Sequence, residues 1–121
     1  MDLILSTRQV GDVSVVDLSG RIVLGEESAA LRSVIGDLLS EGHVKILLNL
    51  ANVNYIDSSG LGNLVSAFAT VKKAEGELKL LKLTAKVQDL MQITKLYTIF
   101  DIKEDEAAAI KSFGQSSAAT A

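Results

Sequence analysis

The stretch Asn54-Tyr55-Ile56-Asp57-Ser58-Ser59-Gly60-Leu61-Gly62 gathers one carboxylate, two hydroxyls and two glycines within six positions. Asp57 and Ser58 are residue types whose oxygens accept hydrogen bonds from the free N–H groups of a helical first turn. Gly60 and Gly62 remove side chains from the same turn, so that another backbone or a phosphate can come close. Capping preference accounts for Asp-Ser-Ser by itself. It does not account for the second glycine, which costs about 1 kcal/mol relative to Ala inside a helix and therefore calls for a packing or contact reason.

Other chemistries can be weighed against this segment. A hydrolase reading would make Ser58 or Ser59 a nucleophile, with Asp57 and His43, the chain's one histidine, as partners. Val44 to Leu50 intervenes as a strand and holds His43 and Ser58 about 20 Å apart, whereas a general base must lie within about 3 Å of the proton it takes. The Gly-x-Ser-x-Gly pattern of a nucleophile elbow is absent around Ser58. Zero cysteines exclude disulfides, thiolate metal sites, iron–sulfur clusters and thiol catalysis. Asp101, Glu104, Asp105 and Glu106 lack the ligand spacing and glycine of a calcium loop and read as a charged helix start. Lys72, Lys73, Lys79 and Lys82 read as solvated faces, and no Walker pattern occurs. A formal net charge of -3 argues against a groove that tracks nucleic-acid phosphates. These residues point to a non-enzymatic protein without metal or cofactor.

The hydrophobic period specifies the elements that must position the segment. Leu3 and Leu5, then Val13, Val15 and Leu18, flank Gly11-Asp12 and predict an antiparallel hairpin. Gly20 and Gly25 bracket a short connection, Arg21-Ile22-Val23-Leu24. Leu31, Val34, Ile35, Leu38 and Leu39 form one helical stripe from about Glu26 to Glu41, closed by Gly42. Val44 to Leu50 is nearly continuous hydrophobe, as expected of a strand buried on both faces at the centre of a sheet. Ala51 to Asp57 reads as a loop. Leu61, Leu64, Val65, Phe68 and Val71 predict a helix that stops near Gly76. Leu78, Leu80, Leu81 and Leu83 predict a strand, Val87, Leu90 and Met91 a third helix, Tyr97 to Ile102 a short strand, and Glu104 to Phe113 a terminal helix.

The order β-β-α-β-α-β-α-β-α is that of a single α/β domain over residues 1–113, with a mixed, mostly parallel sheet of four to five strands and about four helices. Residues 114–121 are small and polar and read as a disordered tail. No apolar run approaches the ~20 residues of a membrane span and the N-terminus lacks a signal-peptide pattern, so the expected location is the cytoplasm.

Asn54 to Gly62, preceded by Ile46-Leu47-Leu48-Asn49-Leu50-Ala51-Asn52-Val53, resembles the motif of the STAS-domain anti-sigma factor antagonists, the bacterial anti-anti-sigma proteins of sporulation and general stress control. The likeness extends to Leu18-Ser19-Gly20-Arg21-Ile22 and Gly76-Glu77-Leu78. One departure is Lys95 before Leu96, where the family often has glycine; a left-handed Lys there costs about 1 kcal/mol. The resemblance implies that Ser58 is phosphorylated by a partner anti-sigma factor with serine kinase activity, with Asp57 and Ser59 serving recognition or transfer. It implies a partner surface that includes Gly60, Leu61, Gly62 and Leu24, and a phosphatase that resets phospho-Ser58. Unmodified protein would bind the kinase and free a sigma factor. The apolar surface near Leu24 and Leu61 suits a partner or a second copy, so a monomer or weak dimer is expected. The alternative role is a STAS docking subunit of a stress-signalling complex or transporter without direct sigma-factor control.

Overall fold

The computed structural model describes residues 3–23 and 25–114, with backbone alone for 26–28. The elements run β1 (Leu3–Val10), β2 (Val13–Ile22), α1 (Glu26–Ser40), β3 (Lys45–Ile56), α2 (Ser58–Lys73), β4 (Glu77–Leu81), α3 (Ala85–Thr94), β5 (Asp101–Lys103) and α4 (Glu106–Ser112), with a 3-10 turn at Leu96–Thr98. They build one five-stranded sheet in the order β1-β2-β3-β4-β5. The opening hairpin is antiparallel and the other pairs are parallel, as the α/β pattern requires.

The two faces of the sheet are covered unequally. Leu31, Ile35 and Leu38 of α1, Leu61, Leu64 and Val71 of α2, and Val87 and Met91 of α3 join Val16, Leu18, Ile46, Leu48, Leu50 and Leu80 in the larger core. The opposite face packs Val13, Val15, Leu47 and Leu81 under Ala109 and Phe113, which α4 and its end supply. The central strand therefore alternates Ile46 and Leu48 to one core and Leu47 to the other, which is why its sequence is continuously apolar.

The segment expected to be a loop, Ala51 to Asp57, is strand as far as Ile56. The pairing explains why its alternation is hidden. Asp17 and Ser19 pair with Asn49 and Asn52, and Gly20 and Arg21 pair with Val53 and Tyr55, so β3 carries an extra residue at each of two bulges. Each insertion resets the period, and the buried residues Leu50, Val53 and Ile56 fall three apart instead of two. The same pairing extends β2 through Arg21 and Ile22, which the glycine spacing had assigned to a connection. Beyond Asn49 the other edge of β3 leaves β4 behind. There Thr84 Oγ1 donates to Val53 O at 2.8 Å.

Other departures are smaller. Leu83 lies outside β4, and the last strand is confined to Asp101–Lys103 because Leu96–Thr98 turns as a 3-10 helix. Lys95 closes α3 in the left-handed conformation at φ 61, the position at which the family glycine was missing. Gly114, assigned to the tail, donates its N–H to Glu77 Oε2 at 2.8 Å; residues 115–121 lie outside the described residues. Lys79 is not solvated but 4% exposed. Its Nζ donates to Ser112 O and Ser112 Oγ, both at 2.9 Å, and lies 3.2 Å from Asp101 Oδ2 and 5.1 Å from the Phe113 ring centroid. Its stem fills the smaller core while its charge fastens the end of α4.

A second clamp joins the N-terminal hairpin to α4. Arg8 donates to both Asp17 oxygens at 2.7 and 3.2 Å and to both Glu106 oxygens at 2.9 and 2.6 Å. Asn49 Nδ2 adds a bond to Asp17 Oδ1 at 2.7 Å. The Arg8 guanidinium holds both carboxyls below their ordinary range. Lowered folded values mean that this stabilisation is complete above the ordinary carboxylate range of about 4 and is lost as pH falls through the folded values. The groups are partly solvated, so Arg8→Met is expected to lower stability by no more than about 1 kcal/mol at neutral pH. Urea unfolding at pH 7 and in stronger acid checks this: the gap between variant and wild type closes in acid, and a pH-independent gap would mean that the clamp acts through packing.

Candidate functional site

The path of β3 delivers Asp57 to the start of α2. Asp57 has extended backbone, φ -89 and ψ -179, and its carboxylate accepts from Gly60 N–H at 2.7 Å. Its own N–H donates to Ile22 O at 3.2 Å, and its carbonyl accepts from Leu61 N–H at 2.9 Å. One residue thus caps α2 and ties it to the end of β2.

The two motif glycines do different work. A Cβ on Gly60 would stand 2.2 Å from Ile22 O and 2.9 Å from Ile56 Cγ2, a clash with backbone that no rotamer relieves. Gly60 is buried because α2 lies directly on the last carbonyl of β2. Gly62 is exposed, and a Cβ there would meet nothing within 4 Å. Its cost to the helix, about 1 kcal/mol against Ala, has no compensation from packing within the described residues.

Ser58 and Ser59 occupy the first turn and are both exposed. None of the hydrogen bonds among described residues engages either hydroxyl. Their N–H groups point out of the helix start, where the dipole favours negative charge. Asp57 is half-buried, and Leu61 at 9% exposure belongs to the core, so Gly60 and Leu61 shape the surface from beneath while Ser58, Ser59 and Gly62 form it. Leu24 lies outside the described residues.

An apolar groove that sequence reasoning missed opens beside this turn. Tyr55 and Ile56 at the end of β3 face Val87, Leu90 and Ile93 of α3 across a cavity of about 250 Å³, with Lys86 and Asp89 also in its lining. Ile93 is 79% exposed and Tyr55 45%. The sequence signal was an Ile outside the Val87–Leu90–Met91 stripe of α3, together with the broken alternation at Tyr55. His43 is not brought to the site: it precedes β3, whose twelve residues end before Ser58, a span of roughly 40 Å. The acidic cluster is dispersed as well. Asp105 caps α4 through Ala108 N–H, Glu106 binds Arg8, and Asp101 binds Lys79 and Lys103. Among the described residues no group of three or more metal-ligating side chains assembles, and no helix is long and apolar enough to cross a membrane.

The chain is similar in sequence and in fold to known proteins. The family profile of the STAS domain matches residues 5–109. The chain is 33% identical over 96 residues to the anti-sigma-B factor antagonist of Bacillus subtilis, covering 79% of this chain and 86% of that one. It is 34% identical over 88 residues to the protein of the same name from Listeria monocytogenes, covering 69% and 77%. Among solved structures, an anti-sigma factor antagonist from Mycobacterium paratuberculosis superposes with TM-score 0.78 at 20% identity, over 92% of this chain and 93% of that one. The phosphorylated form of the Bacillus cell-fate determinant SpoIIAA superposes with TM-score 0.70 at 20% identity, over 89% and 97%.

The geometry separates the cap from the close approach. Asp57→Ala removes one side-chain acceptor and is expected to cost about 1 kcal/mol. Gly60→Ala drives a methyl into Ile22 O and is expected to cost about 3 kcal/mol or more. Equilibrium denaturation of both variants ranks them; a Gly60→Ala protein as stable as wild type would show that α2 does not rest on that carbonyl.

Proposed function

The chain belongs to the STAS-domain family, and from that premise we propose that it is a cytoplasmic anti-sigma factor antagonist whose docking surface is switched by phosphorylation of Ser58. The observation that carries the proposal is the exposed Ser58 hydroxyl at the capped start of α2. The partner is an anti-sigma factor that is also an ATP-dependent serine kinase. Unmodified protein occupies that partner and so releases a sigma factor. Ser58 Oγ then attacks the γ-phosphoryl group of the kinase's ATP, loses its proton and displaces ADP. A phosphatase restores the hydroxyl. The chain contributes the acceptor and the surface, and the kinase contributes the catalytic groups.

The switch follows from where the charge is placed. Phosphorylation adds about -1.5 to -2 charges at pH 7. In the free protein these face the N–H end of α2 and water, which offsets their proximity to Asp57, so the fold persists. In a complex they are pressed against Asp57 and deprived of solvent, which costs several kcal/mol unless the partner offers a matching cation. Ser59, Gly62 and the half-buried Asp57 complete the polar part of the docking surface. Tyr55, Leu90 and Ile93 supply apolar area beside it.

Incubation with a purified anti-sigma factor kinase and ATP, followed by intact-mass and phosphopeptide analysis, tests the proposal. One phosphate on Ser58 is expected. Ser58→Ala takes up none yet still binds the kinase, and Ser58→Asp binds at least a hundredfold more weakly. Equal affinities for wild type and Ser58→Asp would sink the switch. No phosphate under any condition would favour the docking-subunit role.

A further inference from the structure

We propose that the outer edge of β1 is a self-association surface, which pairs antiparallel with β1 of a second copy of this chain. The sheet ends in β1 on one side and β5 on the other, and the two edges are finished differently. β5 is three residues long, and Asp101 and Lys103 within it are charged, so it offers little to an added strand. β1 is eight residues long and contains no proline, no lysine and no bulge. Its one charged side chain, Arg8, is held by Asp17 and Glu106 of its own chain. Natural sheets blunt a long edge with such devices, and β1 lacks them.

The hairpin fixes which backbone groups are free. Gly11, at φ 63, and Asp12 form a two-residue turn, so Val10 and Val13 exchange both of their bonds. Alternation then places the bonded pairs at Arg8, Ser6 and Ile4. The N–H and C=O groups of Leu3, Leu5, Thr7 and Gln9 point outward instead. Among the described residues no hydrogen bond engages these outward groups. Ser6 to Gln9 are exposed, so nothing in the chain covers the middle of the edge.

A second β1 is the complement of this edge. Among antiparallel registers that set the outward-pointing residues opposite one another, the one centred on Ser6 uses all four, with about eight hydrogen bonds. It places Leu3 opposite Gln9 and Leu5 opposite Thr7 on the face that α1 covers, and Ile4 opposite Arg8 on the other. No like charges meet. Ile4, 70% exposed in the single chain, gains the apolar stem of Arg8 from the second copy as cover. Leu5 of the second copy stands beside a cavity of about 380 Å³ that Thr7, Gln9, Val34 and Leu38 help to line. Two-fold pairing consumes both β1 edges and leaves only the blunt β5 edges, so assembly stops at a dimer. The inference is separate from the Ser58 switch, because β2 stands between β1 and the strand that leads to Ser58.

Sedimentation equilibrium of the full chain is expected to show a reversible dimer with a Kd between about 1 μM and 1 mM, as suits a small contact. Thr7→Pro removes an outward N–H and no β1–β2 bond, so it folds as the wild type does and dimerises at least about tenfold more weakly. Ile4→Lys, set against Arg8 of the second copy, weakens the dimer similarly, whereas Ile4→Glu keeps or tightens it. Amide exchange at Leu3, Leu5, Thr7 and Gln9 slows as protein concentration rises. A chain that stays monomeric at about 1 mM overturns the proposal. So does a dimer in which the Thr7 amide exchanges at the monomer rate, or one that Ile4→Lys leaves unchanged; either result moves the interface off β1. Equal weakening by Ile4→Lys and Ile4→Glu overturns the register centred on Ser6. Circular dichroism shows whether Thr7→Pro folds, and if it does not, the two Ile4 variants decide.

Discussion

The carbonyl oxygen of Ile22 is the point on which the site depends. It accepts the Asp57 N–H at 3.2 Å and would lie 2.2 Å from any Cβ on Gly60. The end of β2, the cap of α2 and the first turn of α2 therefore meet at one atom. Its location is set by the β2–β3 register, which runs through two bulges to the Ile22–Ile56 pair. Without those bulges, β3 would deliver Asp57 two residues, roughly 7 Å, away from Ile22 O along the strand. The exposure of Ser58 is thus a consequence of strand pairing.

A modifiable residue placed this way is insulated from the scaffold. The larger core draws on Leu61, Leu64 and Val71 from the buried side of α2, whereas Ser58 and Ser59 face away. The Arg8–Glu106 and Lys79–Ser112 clamps fasten α4 to the other side of the sheet, remote from the hydroxyls. In the proposed switch, the magnitudes favour a change of binding over a change of fold. Charge at an exposed helix start gains about 0.3–1 kcal/mol, comparable with the repulsion it meets in water. The same charge enclosed by a partner costs several times as much. A modification nearly neutral for the free protein is then decisive for the complex.

The element order was legible because helical and strand periods alternate cleanly through most of the chain. Elsewhere it was not, and three places show the local reasons. Ala51–Ile56 hid its strand because bulges spaced its buried residues by three. Tyr97–Phe100 was read as strand because a 3-10 turn and the buried Phe100, which meets Phe68 edge-on at 5.5 Å, leave too few residues to show a period. Lys79 looked solvated because its burial depends on α4, whose Ser112 and Phe113 arrive from more than thirty residues away. At the site itself, the cap was legible in Asp-Ser-Ser, since capping is local chemistry. The groove between Tyr55 and Ile93 was not, since it is created by the place where β4 stops and α3 begins.

The paired glycines show how far a motif can be read without coordinates. In sequence Gly60 and Gly62 are equivalent: both weaken the same turn, and both invite the same explanation. Coordinates divide them, because the space beside one is filled by the chain's own backbone and the space beside the other is empty. A fold that needed only the first would gain stability by losing the second. Gly60 therefore places the helix start under a constraint that faces inward to β2, and Gly62 does not share it. Gly36, equally open in the middle of α1, shows that an empty space beside a helical glycine is not by itself a mark of a partner, so of the motif's two glycines only Gly60 is accounted for by the coordinates.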